Sequence, residues 1–449
     1  MIKRIIIIVI LIIGSFYAEV VNKNEDDLLS FSNKDDKNKI SIEKEVVNIN
    51  DLYIYGNHLN MSGNVSLTDS INEHSEKFAG IEILYPTLEV TDAKLVLYND
   101  EDNYYELKTN IEGNNISFVI GDKLNNGLNL DNFDIKSYYA LLKVFYKHDE
   151  SKYYQLNNTT TYKVTEYYPI GNKYKINLNS NNDLNTIGFN VTKSNNESVY
   201  DIIIDPGHGG LDAGACYRYT DPCETDYTVK YSKALKEKLE SYGLKVALSW
   251  TDVKSSEKVV EYGPNGRATK GYSLNAKFVF SIHLNSAYDY NLSGLEIYTP
   301  YNIDYTLAKQ LANNIKNGAG TNYSSNKHNQ IIDGVYTRTF TNAEINDYNK
   351  ERLRKGYKPY SNITTKTPYY YMIRETGGKM TGGYVDGDND DKVENQYRFS
   401  NIGMESYILE LGYIQNKNDL YNLSNNQDKY IDAIANTIIN YLGINENNN

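Results

Sequence analysis

Cysteine is nearly absent: Cys216 and Cys223 are the whole complement. A disulfide-built scaffold is therefore excluded. Neither cysteine follows the N-terminal apolar run, so no lipoprotein attachment site is found there. Tryptophan occurs once, against 44 tyrosines. The bias toward Tyr, Asn, Lys and Ile is that of AT-rich codons; tyrosine faces stacking on sugars are the functional alternative for any one cluster. Positive charge is also in deficit. Lys and Arg total 46 against 58 Asp and Glu, a formal net charge of −12, which argues against a general nucleic-acid binder. A long apolar stretch is missing too. Ile5 to Ile13 is unbroken but short of the roughly 20 residues that span a bilayer.

That run follows Lys3 and Arg4 and precedes Gly14-Ser15-Phe16-Tyr17-Ala18. Residues 1–18 have the layout of a secretory signal peptide. Phe16 at the −3 position fits cleavage after Ala18 imperfectly, so an uncleaved N-terminal anchor attached to the membrane is the alternative. Both readings place the rest of the chain outside the cytoplasmic membrane, in the extracellular space or the cell wall. Residues 19–50 are charged, Asn-rich and poor in aromatics, and read as a disordered spacer.

From Leu52 the pattern changes to short β-type runs punctuated by Gly, Asn and Asp, among them Leu52–Tyr55, Ile81–Tyr85, Lys94–Tyr98, Ile116–Ile120, Tyr139–Tyr146 and Tyr174–Leu178. Residues 51–178 are expected to form an all-β, sandwich-like accessory domain. His58, His74 and His148 are isolated there and read as surface or core histidines. Residues 179–198 read as a linker with at most one last strand.

Residues 199–443 follow a different grammar. Val199 to Ile204 is a buried strand that runs into Asp205-Pro206-Gly207-His208-Gly209-Gly210. Asp226 to Tyr242 carries Tyr227, Tyr231, Leu235, Leu239 and Tyr242 on one helical stripe, with Thr225 or Asp226 as cap and Gly243 at the stop. Strands are expected at Leu244–Trp250, Lys277–His283, Gly294–Thr299, Tyr369–Arg374 and Ser406–Leu411. Helices are expected at Thr306–Lys316 and Lys429–Tyr441. The fold class is α/β, a mostly parallel sheet flanked by helices. Residues 375–403 hold a polar, acidic insertion. Its Asp386–Asp391 run lacks the glycine and glutamate of a calcium loop. The stretch 322–366, or this insertion, could form a lid.

Four residues carry the chemistry. His208 follows the first strand, Glu224 opens the first helix, His283 ends the KFVFSIH strand, and Glu410 lies inside YILELGY. In a parallel sheet the strand C-termini share one edge, where residues distant in sequence converge. Two histidines and a carboxylate are a zinc-binding set with the fourth position left to water. A second carboxylate with apolar flanks, Glu410, suits a general acid/base. Singly, each has a plainer reading: turn geometry for His208, a satisfied core histidine for His283, a helix-dipole carboxylate for Glu224. Only a buried, unpaired Glu410 is costly by itself. Cys216 and Cys223 lie between His208 and Glu224, and read as a small bridge, two free thiols or thiolate ligands.

The segment from about Val199 to Leu442 resembles the zinc-dependent N-acetylmuramoyl-L-alanine amidases of bacterial cell walls. The matching pieces are IIIDPGHGGLDAGA, the glutamate opening the next helix, FSIHLNSA and ILELGYIQNKNDL. The resemblance implies one zinc ion held by His208, Glu224 and His283, with Glu410 as catalytic glutamate. It implies cleavage of the amide between N-acetylmuramic acid and L-alanine in peptidoglycan. Arg374 stands where such enzymes carry an arginine before the catalytic strand, with a surface ion pair as the plain alternative; Asn285 is expected to position the His283 loop. The two cysteines and the acidic insertion depart from the family pattern. A catalytically silent wall-binding or scaffold protein and another zinc peptidase are the competing functions. The intact set of four weighs against the first, and the DPGHGG and SIHLNS pieces against the second.

Overall fold

The computed structural model describes residues 29–32, 39–67, 75–78, 81–84, 90–99, 101–112, 115–147, 151–158, 166–181, 186–194, 196–219, 222–251, 253–263, 265–360, 363–381, 395, 397 and 402–444. The apolar run near the N-terminus, His74, His148 and the Asp386–Asp391 run lie outside the described residues.

Period-two alternation builds the first sheet. Along Lys39–Tyr55, Val47 and Ile49 are buried while Asn48 and Asn50 are exposed. A bulge between Ile49 and Asp51 then shifts the phase, so that Leu52 and Ile54 also face inward. Residues 39–50 are thus strand. Their charged side chains mask buried apolar ones, Val47 and Ile49 in one core and Ile42 in a smaller cluster with Val96, Tyr98 and Leu141, which corrects the spacer expected there. The second half of the expected linker is also strand. Thr186–Lys193 pairs with both Tyr174–Asn181 and Ser137–Tyr146 and buries Ile187, Phe189 and Val191. Thirteen strands between Leu29 and Lys193 are joined through their ladders into one network around an apolar core that includes Leu97, Phe118, Leu142 and Val144.

The second sheet contains β1 (Ile202–Pro206), β2 (Val246–Leu248), β3 (Phe278–Asn285), β4 (Glu296–Tyr298), β5 (Gln330–Ile332), β6 (Val335–Tyr336) and β7 (Glu405–Tyr413). Its order is β2-β1-β3-β7-β4-β6-β5. The β1–β2, β1–β3, β3–β7 and β4–β6 pairs are parallel; β4–β7 and β5–β6 are antiparallel. The expected mixed α/β class is therefore present. Helices α1 (Glu224–Ser241), α2 (Thr306–Ala319), α5 (Lys417–Asn425) and α6 (Gln427–Tyr441) bury Leu235, Leu311, Leu423 and Ile434 in one core with Ile202, Ile204, Phe280 and Leu409. The opposite face packs Ile203, Val279 and Ile408 against Met372 and Ile373 of α4 (Tyr371–Thr376). Helix α3 (Asn342–Arg354) is opened by a Thr341–Glu344 capping box.

Segment 369–374 is a correction: it was expected as a strand, and α4 occupies most of it. Its tyrosines and Ile373 favour strand weakly, and packing on β7 overrides that preference. Six residues are too few to display a helical period.

The first sheet meets the second at the edge where its parallel strands begin. The Gly56 backbone lies so close to Glu405 at the start of β7 that a Cβ there would stand 2.0 Å from the carboxylate. Gly171 N–H donates to Asp201 just ahead of β1 (2.9 Å), and Lys123 Nζ donates to the Met380 carbonyl (2.8 Å). Among the described residues, no helix is long and apolar enough to cross a membrane.

Candidate metal centre

At the other edge of the sheet, β1 delivers the chain into a turn that ends at His208. Asp205 anchors it. Its buried carboxylate accepts from Ser249 Oγ and Ser281 Oγ (2.5 Å each) and from Arg267 Nε and Nη2 (2.9 and 2.8 Å). Burial would raise its pKa; the Arg267 charge and these hydrogen bonds more than reverse that and hold it below the usual carboxylate range. Arg267 also donates to the Pro206 and His208 carbonyls (2.8 and 3.2 Å), tying down the backbone on both sides of Gly207. His208 adopts φ 61°, a left-handed conformation unusual for a side-chain-bearing residue. Gly209 follows at φ 122°, where a Cβ would come within 2.3 Å of the Trp250 ring. Only glycine tolerates both constraints.

Helix α1 starts two residues ahead of the expected helical stripe, at Glu224, with Cys223 as N-cap; Cys223 N–H donates to Asp226 (2.9 Å). The carboxylate of Glu224 therefore enters in the first turn, buried and facing the sheet edge. Its Oε2 lies 3.0 Å from His208 Nε2, and its Oε1 lies 3.0 Å from His283 Nδ1. Leu284 N–H and Ala215 N–H also donate to it (2.9 and 3.2 Å). His208 Nδ1 is held by Asp212 Oδ2 at 2.8 Å. The two imidazoles stand edge to face, ring centres 5.0 Å apart. Ligand atoms of His208, Glu224 and His283 all lie within 4.8 Å of one another.

These three residues fit a zinc ion by the chemistry of the set. Two ring nitrogens and a carboxylate oxygen converge, and Asp212 holds the other nitrogen of His208, as carboxylates do behind zinc-bound histidines. Without an ion, protons fill the same role. Burial lowers the His208 pKa, but hydrogen bonds and charge from Glu224, then Asp212, more than reverse this and raise it to about 9. Burial also pushes Glu224 up, and the two histidines outweigh it, holding its carboxyl well below the usual range.

Glu410 stands beside this cluster by register. β3 and β7 pair His283 with Glu410, and β7 and β4 pair Glu410 with Glu296, so the three form one row across three strands. Glu410 Oε2 is sealed from solvent and has no hydrogen-bond partner among the described residues. Burial, then the charges of Glu224 and Glu296, raise its pKa well above the ordinary carboxylate value. Glu296 is fully buried and accepts from Ser324, Tyr413 and Tyr298 (2.7, 2.6 and 2.8 Å).

Arg374 is buried and commits its guanidinium elsewhere. Nε donates to Glu375 (3.2 Å), and Nη1 to the Pro368 and Tyr369 carbonyls (3.1 and 2.7 Å). None of these bonds reaches Glu410. The Asn285 amide nitrogen is buried without a partner, while its oxygen accepts from Ser286 N–H (3.2 Å). Cys216 and Cys223 form a disulfide. Three residues that matter here were not singled out in the sequence: Asp212, Arg267 and Glu296. Glu296 had a signal, a carboxylate inside the apolar LEIYT strand. Arg267 sits in an aperiodic loop and had none.

A family model described as N-acetylmuramoyl-L-alanine amidase matches residues 202–440. "Probable cell wall amidase LytH" of Staphylococcus aureus is 30% identical over 153 residues, 33% of this chain and 48% of that protein. The chain thus spans about half the length of the curated relatives it matches. Cwp6 from Clostridium difficile aligns over 54% of this chain and 29% of its own, at 21% identity and a TM-score of 0.35. The amidase AmiC2 of Nostoc punctiforme aligns over 56% of this chain and 99% of its own, at 21% identity and a TM-score of 0.33.

Proposed function

Because the chain belongs to the N-acetylmuramoyl-L-alanine amidase family, we propose that it hydrolyses the amide between N-acetylmuramic acid and L-alanine in peptidoglycan. His208, Glu224 and His283 would hold one zinc ion, and Glu410 would be the general acid/base. The observation that carries this reading is the row His283–Glu410 beside three converging ligand atoms.

A zinc ion bound there supplies Lewis-acid polarisation of the scissile carbonyl and makes water a stronger acid. The protein's own residues do the rest. His208, charged in the metal-free protein, would shed a proton to become a ligand, while Glu224 is already a carboxylate. Glu410, in its carboxylate form, would take a proton from the attacking water; its raised pKa would favour holding that proton until it returns to the departing nitrogen of L-alanine. Its Oε2 is buried and receives no hydrogen bond among the described residues. Asp205 and Arg267 keep the His208 turn rigid. Arg374, bound to the 368–369 carbonyls, would act by bracing the approach to α4.

Residues 1–18 would export the chain, as a cleaved signal or an anchor, so that it works in the cell wall. The N-terminal β unit would be a sandwich-like accessory domain that stays clear of the reacting edge.

The test is digestion of purified peptidoglycan by the full chain, with and without a chelator. Chelator-sensitive release of L-alanine amino termini, with no new reducing sugar ends, is the expected result. New reducing ends, or no cleavage by zinc-loaded protein, would overturn it.

A further inference from the structure

A cavity of about 530 Å³ opens beside the metal cluster, lined by Ala215, Arg218, Ser286, Tyr288, Tyr290 and Gln415 among others. Gly214 joins the two. A Cβ there would lie 2.7 Å from Glu224 Oε2 and 2.8 Å from the His208 ring. The far wall is braced: Gln415 Nε2 donates to Ser286 Oγ (2.9 Å), and Gln415 Oε1 accepts from Ala287 N–H (3.3 Å). Tyr288 and Tyr290 are 97% and 45% exposed.

The near wall is the loop closed by the Cys216–Cys223 disulfide. Tyr217 N–H donates to the Pro222 carbonyl (3.0 Å) and Glu224 N–H to the Ala215 carbonyl (2.8 Å). The loop is thus zipped at its base and continuous with the ligand Glu224. Within it Arg218 adopts φ 49°, ψ 36°, a left-handed conformation that a residue with a Cβ rarely adopts. Glycine would adopt it freely. Arg218 is exposed, its guanidinium 5.2 Å from the centre of the Tyr217 ring. Among the described residues it has no carboxylate partner. In a chain of net charge −12, an arginine without a carboxylate partner among the described residues is held in a strained conformation in the lining of a cavity that Gly214 joins to the metal cluster. Strain of this kind persists where the surroundings impose it, and Arg218 lies within the loop that the disulfide closes.

We infer that Arg218 is a specificity-determining residue that binds a free carboxylate on the peptide side of the substrate, and that the Cys216–Cys223 bridge holds it in position. This rests on the amidase reading. The ligand class is a muramoyl peptide with an acidic residue next to the scissile L-alanine. Arginine suits a planar carboxylate because its fork donates two parallel hydrogen bonds.

The experiment compares two soluble muramoyl peptides that differ only in whether the residue after L-alanine carries a carboxylate or a carboxamide. The wild-type protein should favour the carboxylate in kcat/KM, mainly through KM. Arg218→Gln should lower kcat/KM on the carboxylate about 10- to 100-fold and leave the carboxamide nearly unchanged. Arg218→Gly separates function from structure: it relieves the backbone, so the fold should be kept and the preference still lost. The Cys216→Ser, Cys223→Ser double variant should lose the preference with Arg218 present. Equal use of both peptides by the wild type, or an unchanged preference in Arg218→Gln, would overturn the assignment. If the wild type cleaves neither peptide, the amidase reading fails separately. Calorimetric binding of the same pair to wild type and Arg218→Gln then decides the role of Arg218 by itself.

Discussion

Arg267 meets Asp205 in a two-point contact, Nε to Oδ1 at 2.9 Å and Nη2 to Oδ2 at 2.8 Å, both partners buried beneath the His208 turn. Removing one member of such a pair strands the other. Arg267→Met should therefore cost about 3–5 kcal/mol of stability, read by urea denaturation. Adding Asp205→Asn should recover part of that loss, because no uncompensated charge remains. Strict additivity of the two changes would show that the pair does not act as a unit.

Glu410→Gln tests the assignment of the proton carrier. The side chain keeps its size, and β7 keeps its ladder to β3. Zinc content should stay at one ion per chain, while the rate of wall digestion should fall about 10²- to 10⁴-fold. Retained turnover would move the general base to another residue.

Zinc binding should release protons. In the metal-free protein His208 is raised to about 9 from 6.5, so at pH 7.5 its ring is charged and must lose a proton to become a ligand. Apparent zinc affinity should rise with pH up to about 9. The sign for stability is the reverse: the charged ring stabilises the metal-free fold fully below 6.5, and this is lost as pH rises through about 9. Calorimetric titrations in two buffers of different ionisation enthalpy would measure the release. Identical enthalpies at pH 7.5 would contradict it.

Glu405 offers a pH test remote from the metal. Burial raises its pKa from 4.5 to about 7; the Tyr407 hydrogen bond works against the shift and Asp304 adds to it. The folded state therefore holds its proton more tightly than the unfolded chain. Its contribution is fully present below 4.5 and is lost as pH rises through 7. Glu405→Gln keeps an acceptor for Tyr407 and removes the charge. It should stabilise the protein at pH 8 by up to about 3 kcal/mol and much less at pH 5. Chemical denaturation at the two pH values would show it, and equal effects would refute it.

Much of the second sheet could be read in advance because its strands are apolar runs that end at glycine or histidine. His208 and His283 stood out because each closes an apolar strand, Glu224 because it opens a helix, and Glu410 because it is a carboxylate inside an apolar strand. What escaped was set by tertiary contact. Arg267 acts through a carboxylate 62 residues away, and no local pattern marks it. Residues 39–50 looked like a solvated spacer because Glu43, Lys44, Glu45, Asn48 and Asn50 dominate their composition, while Ile42, Val47 and Ile49 among their apolar side chains are buried. Segment 369–374 looked like a strand from its tyrosines, until packing on β7 wound it into α4.

The pairing of His283 with Glu410 has one more consequence. The two residues are spaced by neighbouring strands of a hydrogen-bonded core, and no loop spans the gap between them. Loops around the edge, including the disulfide-closed one, can therefore change in length and charge from one descendant of this chain to another without resetting that spacing. The surrounding loops can drift while the spacing of Glu410 from His283 stays inherited.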